Sequence, residues 1–139
     1  MAYPFIDTDV IIRFLTGDDL IKQERAAKLF EHIEQGTLTV SAPDTVIADA
    51  VYVLASPRLY NLPRGDVAAL LTPLVRLPQF RVKNRRTVIA ALTLYGHGPF
   101  KLDFGDALIV ASMQQSGSNT VYSFDTDLGK IPGIIRQEP

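Results

Sequence analysis

Residues 101–127 of the chain read KLDFGDALIVASMQQSGSNTVYSFDTD, and this stretch decides the fold. The apolar run at 107–111 predicts a buried helix, which the following Gly-Ser pair ends. Residues 121–124 then predict a short strand, because they are mostly β-branched or aromatic. Asp103 and Asp106 lie three residues apart, so on the helix they share one face of the first turn.

More acidic residues are expected to meet at the same place. Asp125 and Asp127 follow the strand directly, where α/β sheets carry their ligand sites. Asp7 follows a first predicted strand at residues 3–6 in the same way. Carboxylates gathered at one sheet edge repel one another unless a cation joins them.

A lone carboxylate in the third predicted helix also indicates a bound cation. Residues 44–55 are apolar almost all round, so this helix is predicted to be buried, and Asp49 is the only charge between Asp44 and Arg58. Burying an unpaired carboxylate costs several kcal/mol, and a metal ion would remove that cost.

Strands and helices alternate along the chain, which predicts an α/β fold with a parallel sheet between layers of helices. Pro73 is expected to bend or end the fourth helix. The predicted strands are residues 3–6, 37–42, 79–82 and 121–124, with a further edge strand at Ile134 and Ile135.

Composition fits one domain of 139 residues with a net charge of −1. Outside the seven aspartates at 7, 9, 49, 103, 106, 125 and 127, the 14 basic residues outnumber the other 8 acids by 6, which suits a polyanionic substrate. The absence of cysteine excludes disulfides and thiolate zinc sites and fits a reducing compartment. With no signal-peptide core and no apolar run of membrane-spanning length, we expect a cytoplasmic protein without membrane contact.

Several of these acidic residues could also have a purely structural role, as a helix cap or in a turn. Asp9 or Thr8 is predicted to cap the first helix, and Asp103 with Asp106 resembles a reciprocal cap. An Asp-x-Asp after a strand also forms Asx turns. Ser123 either hydrogen-bonds within the site or faces solvent. Motifs for a serine or cysteine nucleophile and for a phosphate-binding loop are missing, so carboxylates carry whatever chemistry the chain performs.

Four segments together resemble a known family, the PIN-domain ribonucleases, and in particular the VapC toxins of type II toxin–antitoxin pairs. The segments are FIDTDVIIRFLTGDD, VIADAVYVL, KLDFGDALIVA and VYSFDTDLGKIPGI, and they occur in the family's order over nearly the whole chain. The resemblance places the four catalytic and metal-binding acids of the family at Asp7, Asp49, Asp106 and Asp125. Its possible auxiliary positions are Asp9, Asp103, Ser123 and Asp127.

Three positions depart from the family pattern. Asp9 stands where Asn is usual, which adds a negative charge beside the site. Asp49 replaces Glu and is one methylene shorter, so it is expected to reach a metal only through water. Ser123 replaces Thr, which is a mild change.

The resemblance implies a three-layer α/β/α PIN-like fold with a central, mainly parallel sheet of four to five strands, formed as a single PIN domain over residues 1–139. It also implies an endoribonuclease that uses Mg²⁺ or Mn²⁺ to cut tRNA or other structured RNA. The implied partners are a second copy of the chain in a homodimer and a small VapB-like antitoxin.

Two other functions remain open from the sequence. A phosphatase of the HAD type also begins with a strand and Asp-x-Asp, but it leaves Asp49 unexplained. A PIN-like module that binds RNA or a protein partner without cutting is favoured by Asp9 and Asp49.

Overall fold

The computed structural model describes residues 2–139. Residues 2–139 form six α-helices, four short β-strands and one 3₁₀ turn, and a pair of helices precedes each of the first three strands. The elements are α1 (Thr8–Leu15), α2 (Leu20–Gln35), β1 (Val40–Ala42), α3 (Asp44–Ala55), α4 (Arg64–Arg76), β2 (Phe80–Val82), α5 (Arg85–His97), α6 (Phe104–Ser116), β3 (Thr120–Tyr122), the 3₁₀ turn (Thr126–Lys130) and β4 (Ile135–Gln137).

All strand pairings are parallel, and the three-layer α/β/α fold class is confirmed. The strands form two separate pairs, β1 with β2 and β3 with β4, instead of the one continuous sheet that was predicted. The predicted first strand is reduced to a single parallel bridge between Phe5 and Ser41. Hydrogen bonds from Ile6 to Ser41 and from Ser41 to Pro4 hold this bridge, so the N-terminal segment continues the first pair on its β1 side. Ile134 and Ile135 were predicted to add an edge strand, and β4 confirms it at Ile135.

One apolar cluster joins helices to strands. Phe30 of α2 stacks on Phe14 with ring centroids 4.5 Å apart and meets the fully buried Phe80 of β2 edge to face. Burying each such side chain contributes roughly 1.5–3 kcal/mol. No charged or polar residue is buried within residues 2–139, so every candidate site residue is at least partly exposed.

Glycine allows the close packing of α4 on α5. A Cβ built on Gly96 would lie 2.5 Å from the Cβ of Ala68 and 3.3 Å from the carbonyl oxygen of Arg64. Only a residue without a side chain fits where the helices approach this closely. The contact places the start of α4 against the end of α5, beside a cavity described below.

Pro73 does not end α4, which continues to Arg76, so of the two predicted outcomes, a bend or an end, the second is wrong. A proline inside a helix costs about 3 kcal/mol through its missing hydrogen bond. Leu71, Leu74 and Val75 are buried on both sides of the exposed Pro73, and the burial of these three side chains outweighs the loss. No helix in the described part of the chain is long and apolar enough to cross a membrane.

Candidate acidic site

The start of α6 carries two of the predicted acids. Asp103 is the N-cap residue, and its Oδ1 accepts a hydrogen bond from the backbone N–H of Asp106 at 2.7 Å. This is the capping half of the predicted reciprocal pair, and it fixes the exposed Asp103 carboxylate against the helix end. Asp106 lies on the same turn and is half-buried, because the buried Ala107 and Val110 that follow it draw that part of α6 against the core.

The segment after β3 brings two more acids. Asp125 caps the 3₁₀ turn by accepting a hydrogen bond from the N–H of Asp127 at 2.9 Å. The N–H of Asp125 donates in turn to Ser123 Oγ at 2.9 Å, so Ser123 hydrogen-bonds within the site. These local bonds confirm that the Asp-x-Asp pair forms a turn, and they fix the side chain of Asp125 just past the strand.

Charges from the start of α6 and from the segment after β3 both act on the carboxyl group of Asp106. Partial burial raises the pKa of the Asp106 carboxyl above its ordinary value of 3.8, because the charged form loses solvation. The negative charges of Asp103, Asp125 and Asp127 raise this pKa further, in that order. Three carboxylates therefore act on Asp106, and the cluster contains four acids.

Asp7 lies directly after the N-terminal bridge, as predicted. It is exposed, and its Oδ1 accepts a hydrogen bond from the N–H of Thr8 at 2.7 Å as the N-cap of α1. The prediction that Thr8 or Asp9 caps this helix is therefore wrong by one or two residues, since the strand ends so close to the helix that Asp7 takes the capping position. Asp9 is an exposed residue of the first turn.

Asp49 is exposed, which corrects the prediction that it is buried. Only one side of α3 is covered, by Val46, Ile47, Ala50, Val51 and Leu54, and the opposite side remains open at Asp49 and Tyr52. The helix is rich in apolar residues, yet one of them, Tyr52, is 75% exposed and is not part of the buried side. No metal ion is therefore needed to offset a buried charge at Asp49.

Contacts between helices connect the elements that carry Asp7 and Asp49 to α6, but neither carboxylate is among the charges that act on Asp106. The hydroxyl of Thr8, next to Asp7, donates to the carbonyl of Val46 at 3.5 Å, which joins the starts of α1 and α3. Ala48 and Tyr52, on either side of Asp49 along α3, line a cavity together with Asp103 at the start of α6. The four positions predicted to be catalytic thus lie on successive elements, α1, α3, α6 and the segment after β3.

The donor chemistry of this region fits a hard divalent cation. Every candidate ligand is an oxygen, mostly of carboxylates, which is the ligand type that Mg²⁺ and Mn²⁺ prefer. The raised pKa of Asp106 marks a repulsion that a cation would relieve. No group of three or more His, Asp or Glu side chains in residues 2–139 is arranged to hold a metal ion, so binding would require the exposed carboxylates to turn toward Asp106.

Two basic residues that were not predicted as site residues contact this region, and one of them pairs with an acid. Lys130 Nζ lies 2.9 Å from Asp127 Oδ1, and this hydrogen bond raises the pKa of Lys130. Arg136 Nη1 donates to the carbonyl of Ser123 at 2.9 Å. The spacing of Asp127 and Lys130, three residues apart in a turn, is a sequence signal for the first contact. The second arises only because β4 pairs with β3.

Fold and site together define an α/β protein with an acidic site built from helix starts and strand ends. Residues 5–134 match the profile of the PIN domain, and the chain belongs to the PIN domain family. Members of this family are generally metal-dependent nucleases. Among proteins with curated functions, none matches the chain.

Proposed function

We propose that this chain is a metal-dependent endoribonuclease of the VapC type, with Asp7, Asp49, Asp106 and Asp125 as its metal-binding and catalytic carboxylates. The observation that carries the proposal is the half-buried carboxyl of Asp106 at the capped start of α6, on which the charges of Asp103, Asp125 and Asp127 act, in a chain of the PIN family. Perturbed carboxyl groups of this kind concentrate at functional sites. The family match leaves the phosphatase alternative without support.

The chain's own residues hold the reacting groups in place. Asp106 and Asp125 lie at the starts of an α-helix and a 3₁₀ turn, and the hydrogen bonds of Asp103 and Asp125 fix those starts. Without a counterion, these carboxylates repel a phosphodiester, so RNA approaches only when the charge is neutralised. A divalent cation bound there would supply a water of lowered pKa and stabilise the leaving oxygen.

Asp9 and Asp49 are the positions where this chain is expected to differ from its relatives. Both are exposed, so either carboxylate can turn toward the site without a burial cost. Asp9 adds negative charge in the first turn of α1, where it strengthens attraction for a cation. The shorter Asp49 side chain reaches a cation through a bridging water. Asp103, Ser123 and Asp127 act as auxiliary residues.

The finer parts of the proposal rest on the resemblance to VapC toxins. They comprise a single PIN domain over residues 1–139, a cytoplasmic location, a homodimer, a tRNA or other structured RNA as substrate, and a small VapB-like antitoxin that covers the site. Sequence-specific recognition of RNA uses unstacked bases in loops, which fits a cut in a single-stranded region.

A second candidate function is favoured by one observation. Since no three acids in the described residues are arranged to hold a metal, a PIN-like module that binds RNA without cutting it would also fit. Tight RNA binding that Mg²⁺ never converts to cleavage would support this function over the first.

The test uses purified protein, free of any copurifying partner, and total cellular RNA. The RNA is incubated with Mg²⁺, with Mn²⁺ and with EDTA, in parallel with Asp106→Asn. Discrete fragments are expected with either metal, none with EDTA, and a loss of at least about 100-fold in rate for the variant, as for other acid–base or charge-stabilising groups.

Asp19→Asn is the matched control. Asp19 caps α2 by accepting a hydrogen bond from the N–H of Lys22 at 3.0 Å, and Asn caps helices equally well. This variant removes one negative charge at a helix start outside the acidic site, so cleavage should persist. Intact RNA under every metal condition, with a folded protein by circular dichroism, would contradict the nuclease function.

A further inference from the structure

A cavity of about 500 Å³ opens next to the acidic site. It lies between α3, the segment that follows α3, and the starts of α4 and α6, with Tyr95 of α5 in its wall. This volume lies within the roughly 300–1,000 Å³ of cavities that take small ligands. Its lining is mainly apolar, and its aromatic and polar groups are Tyr52, Ser56, Arg64, Tyr95 and Asp103.

The cavity lies next to the carboxylates of the acidic site. Asp103, whose Oδ1 accepts the backbone N–H of Asp106 at 2.7 Å, is part of its wall. On the opposite wall, Tyr52 lies three residues after Asp49, so the two side chains are neighbours on the exposed side of α3. A molecule in the cavity would therefore lie directly beside a phosphodiester held at the acidic site.

Arg64 is fixed in the wall by two contacts. Its guanidinium lies over the ring of Tyr95, with Cζ 4.1 Å from the ring centroid, and its Nε donates to the carbonyl of Tyr95 at 3.0 Å. Its Nη2 is buried and has no hydrogen-bond partner within residues 2–139. A buried donor without an acceptor is costly, and an acceptor atom on a bound ligand would satisfy it.

Tyr52 supplies a second recognition surface. Its side chain is 75% exposed, so the face of its ring is open for stacking against a ligand. Together, a free aromatic ring, a fixed guanidinium and the Ser56 hydroxyl match a planar heterocycle that carries hydrogen-bonding groups. Proteins bind unstacked RNA bases through this combination.

We propose that this cavity receives one unstacked nucleobase of the RNA next to the scissile phosphodiester, with stacking on Tyr52 and polar contacts to Arg64 and Ser56. The proposal rests on the proposed function and adds a specificity-determining pocket to it. The base is neutral, so the negative charge of Asp103 in the wall does not oppose its entry, whereas it would oppose a phosphate.

The experiment measures binding without cleavage. Asp106→Asn is combined with Tyr52→Ala, Tyr52→Phe or Tyr52→Leu, and fluorescence anisotropy reports the affinity for short single-stranded RNAs in EDTA. Each RNA carries one abasic nucleotide at a different position. Loss of one base–aromatic stack weakens binding on the order of 5- to 150-fold.

Three results are expected together. Tyr52→Ala and Tyr52→Leu weaken binding to intact RNA, whereas Tyr52→Phe, which keeps the ring, binds like the parent. One abasic position weakens binding to the parent by a similar factor. At that position, Tyr52→Ala has no further effect, because the contact is already missing.

Two results would overturn the proposal. In the first, Tyr52→Ala binds every RNA like the parent; if the protein with Asp106 intact still cleaves RNA, the nuclease function survives and only the pocket fails. In the second, Tyr52→Ala changes the sedimentation of the protein and not its RNA affinity, which would make this face a contact between two copies of the chain. Conversely, RNA that binds as expected but is never cut by the parent with Asp106 intact would leave the pocket standing and remove the nuclease function.

Discussion

Asp103 allows a test that separates a structural role from an electrostatic one. Its Oδ1 accepts the N–H of Asp106 at 2.7 Å, and its charge raises the pKa of Asp106. Asp103→Ala removes both the cap and the charge, whereas Asp103→Asn removes only the charge, because Asn caps a helix as well as Asp. The difference in stability between the two variants therefore measures the cap alone.

We expect Asp103→Ala to be less stable than Asp103→Asn by about 1 kcal/mol, the usual value of an N-cap. An unfolding entropy of ~2.1 cal/mol/K per residue gives about 0.3 kcal/mol/K for this chain, so the melting temperatures should differ by about 3 °C. Asp103→Asn itself should equal or exceed the wild type at neutral pH, because it removes a repulsion at no cost to the cap.

The assay is urea unfolding followed by circular dichroism at neutral pH, with thermal melts as a second measure. Equal stability of the Ala and Asn variants would refute the capping role. An Asn variant that is less stable than the wild type would refute the claim that the Asp103 charge repels Asp106. RNA cleavage by the folded Asn variant then reports whether the charge of Asp103 also serves the reaction.

Three further predictions concern other parts of the molecule. The folded pKa of Asp106 lies above 3.8, so the folded state holds this proton more tightly and loses stability as pH rises from about 3.8 through the folded value. Asp106→Asn should therefore be more stable than the wild type at pH 7 and equal to it below pH 3.8. Urea unfolding at both pH values tests this, and a variant less stable than the wild type at pH 7 would contradict it. Gly96→Ala should destabilise by about 1–3 kcal/mol, because a side chain of α4 lies 2.5 Å from the added Cβ. Gly17→Ala, which meets nothing within 4 Å, should range from no change to a gain of about 1 kcal/mol, and equal losses in the two glycine variants would contradict the packing argument. Tyr60→Phe should raise the pKa of Asp18, which a 2.6 Å hydrogen bond from the Tyr60 hydroxyl lowers. The stabilisation from this contact is present above pH 3.8 and disappears as pH falls through the folded pKa, and an unchanged NMR titration of Asp18 in the variant would refute it.

The elements at the site were predictable because their signals are local. The cap of Asp103, the helix from Asp44 to Ala55 and the turn at Asp125 depend on residues within about one turn of each other. The α/β class followed from the alternation of strand and helix patterns. The family motifs then indicated which acids to test as site residues.

The misassigned features depend on long-range packing. Pro73 was expected to bend or end α4, because the burial of Leu74 and Val75 beyond it is invisible to the local rule for proline. Asp49 was expected to be buried because an apolar helix pattern does not reveal which face stays open. The break between the two strand pairs depends on backbone hydrogen bonds, which no side-chain pattern specifies.

The sequence by itself determined which residues can hold a cation, since the carboxyl groups and their positions at helix starts and strand ends are encoded locally. Only the tertiary structure decided which of them interact. It brought the segment after β3 against the start of α6, so that Asp125 and Asp127 raise the pKa of Asp106 from nearly twenty residues away. It also left Tyr52 in the open beside Arg64 and Asp103. The physical reason is that charge repulsion and cavity shape depend on distances through space, and helix packing, not spacing along the chain, sets those distances.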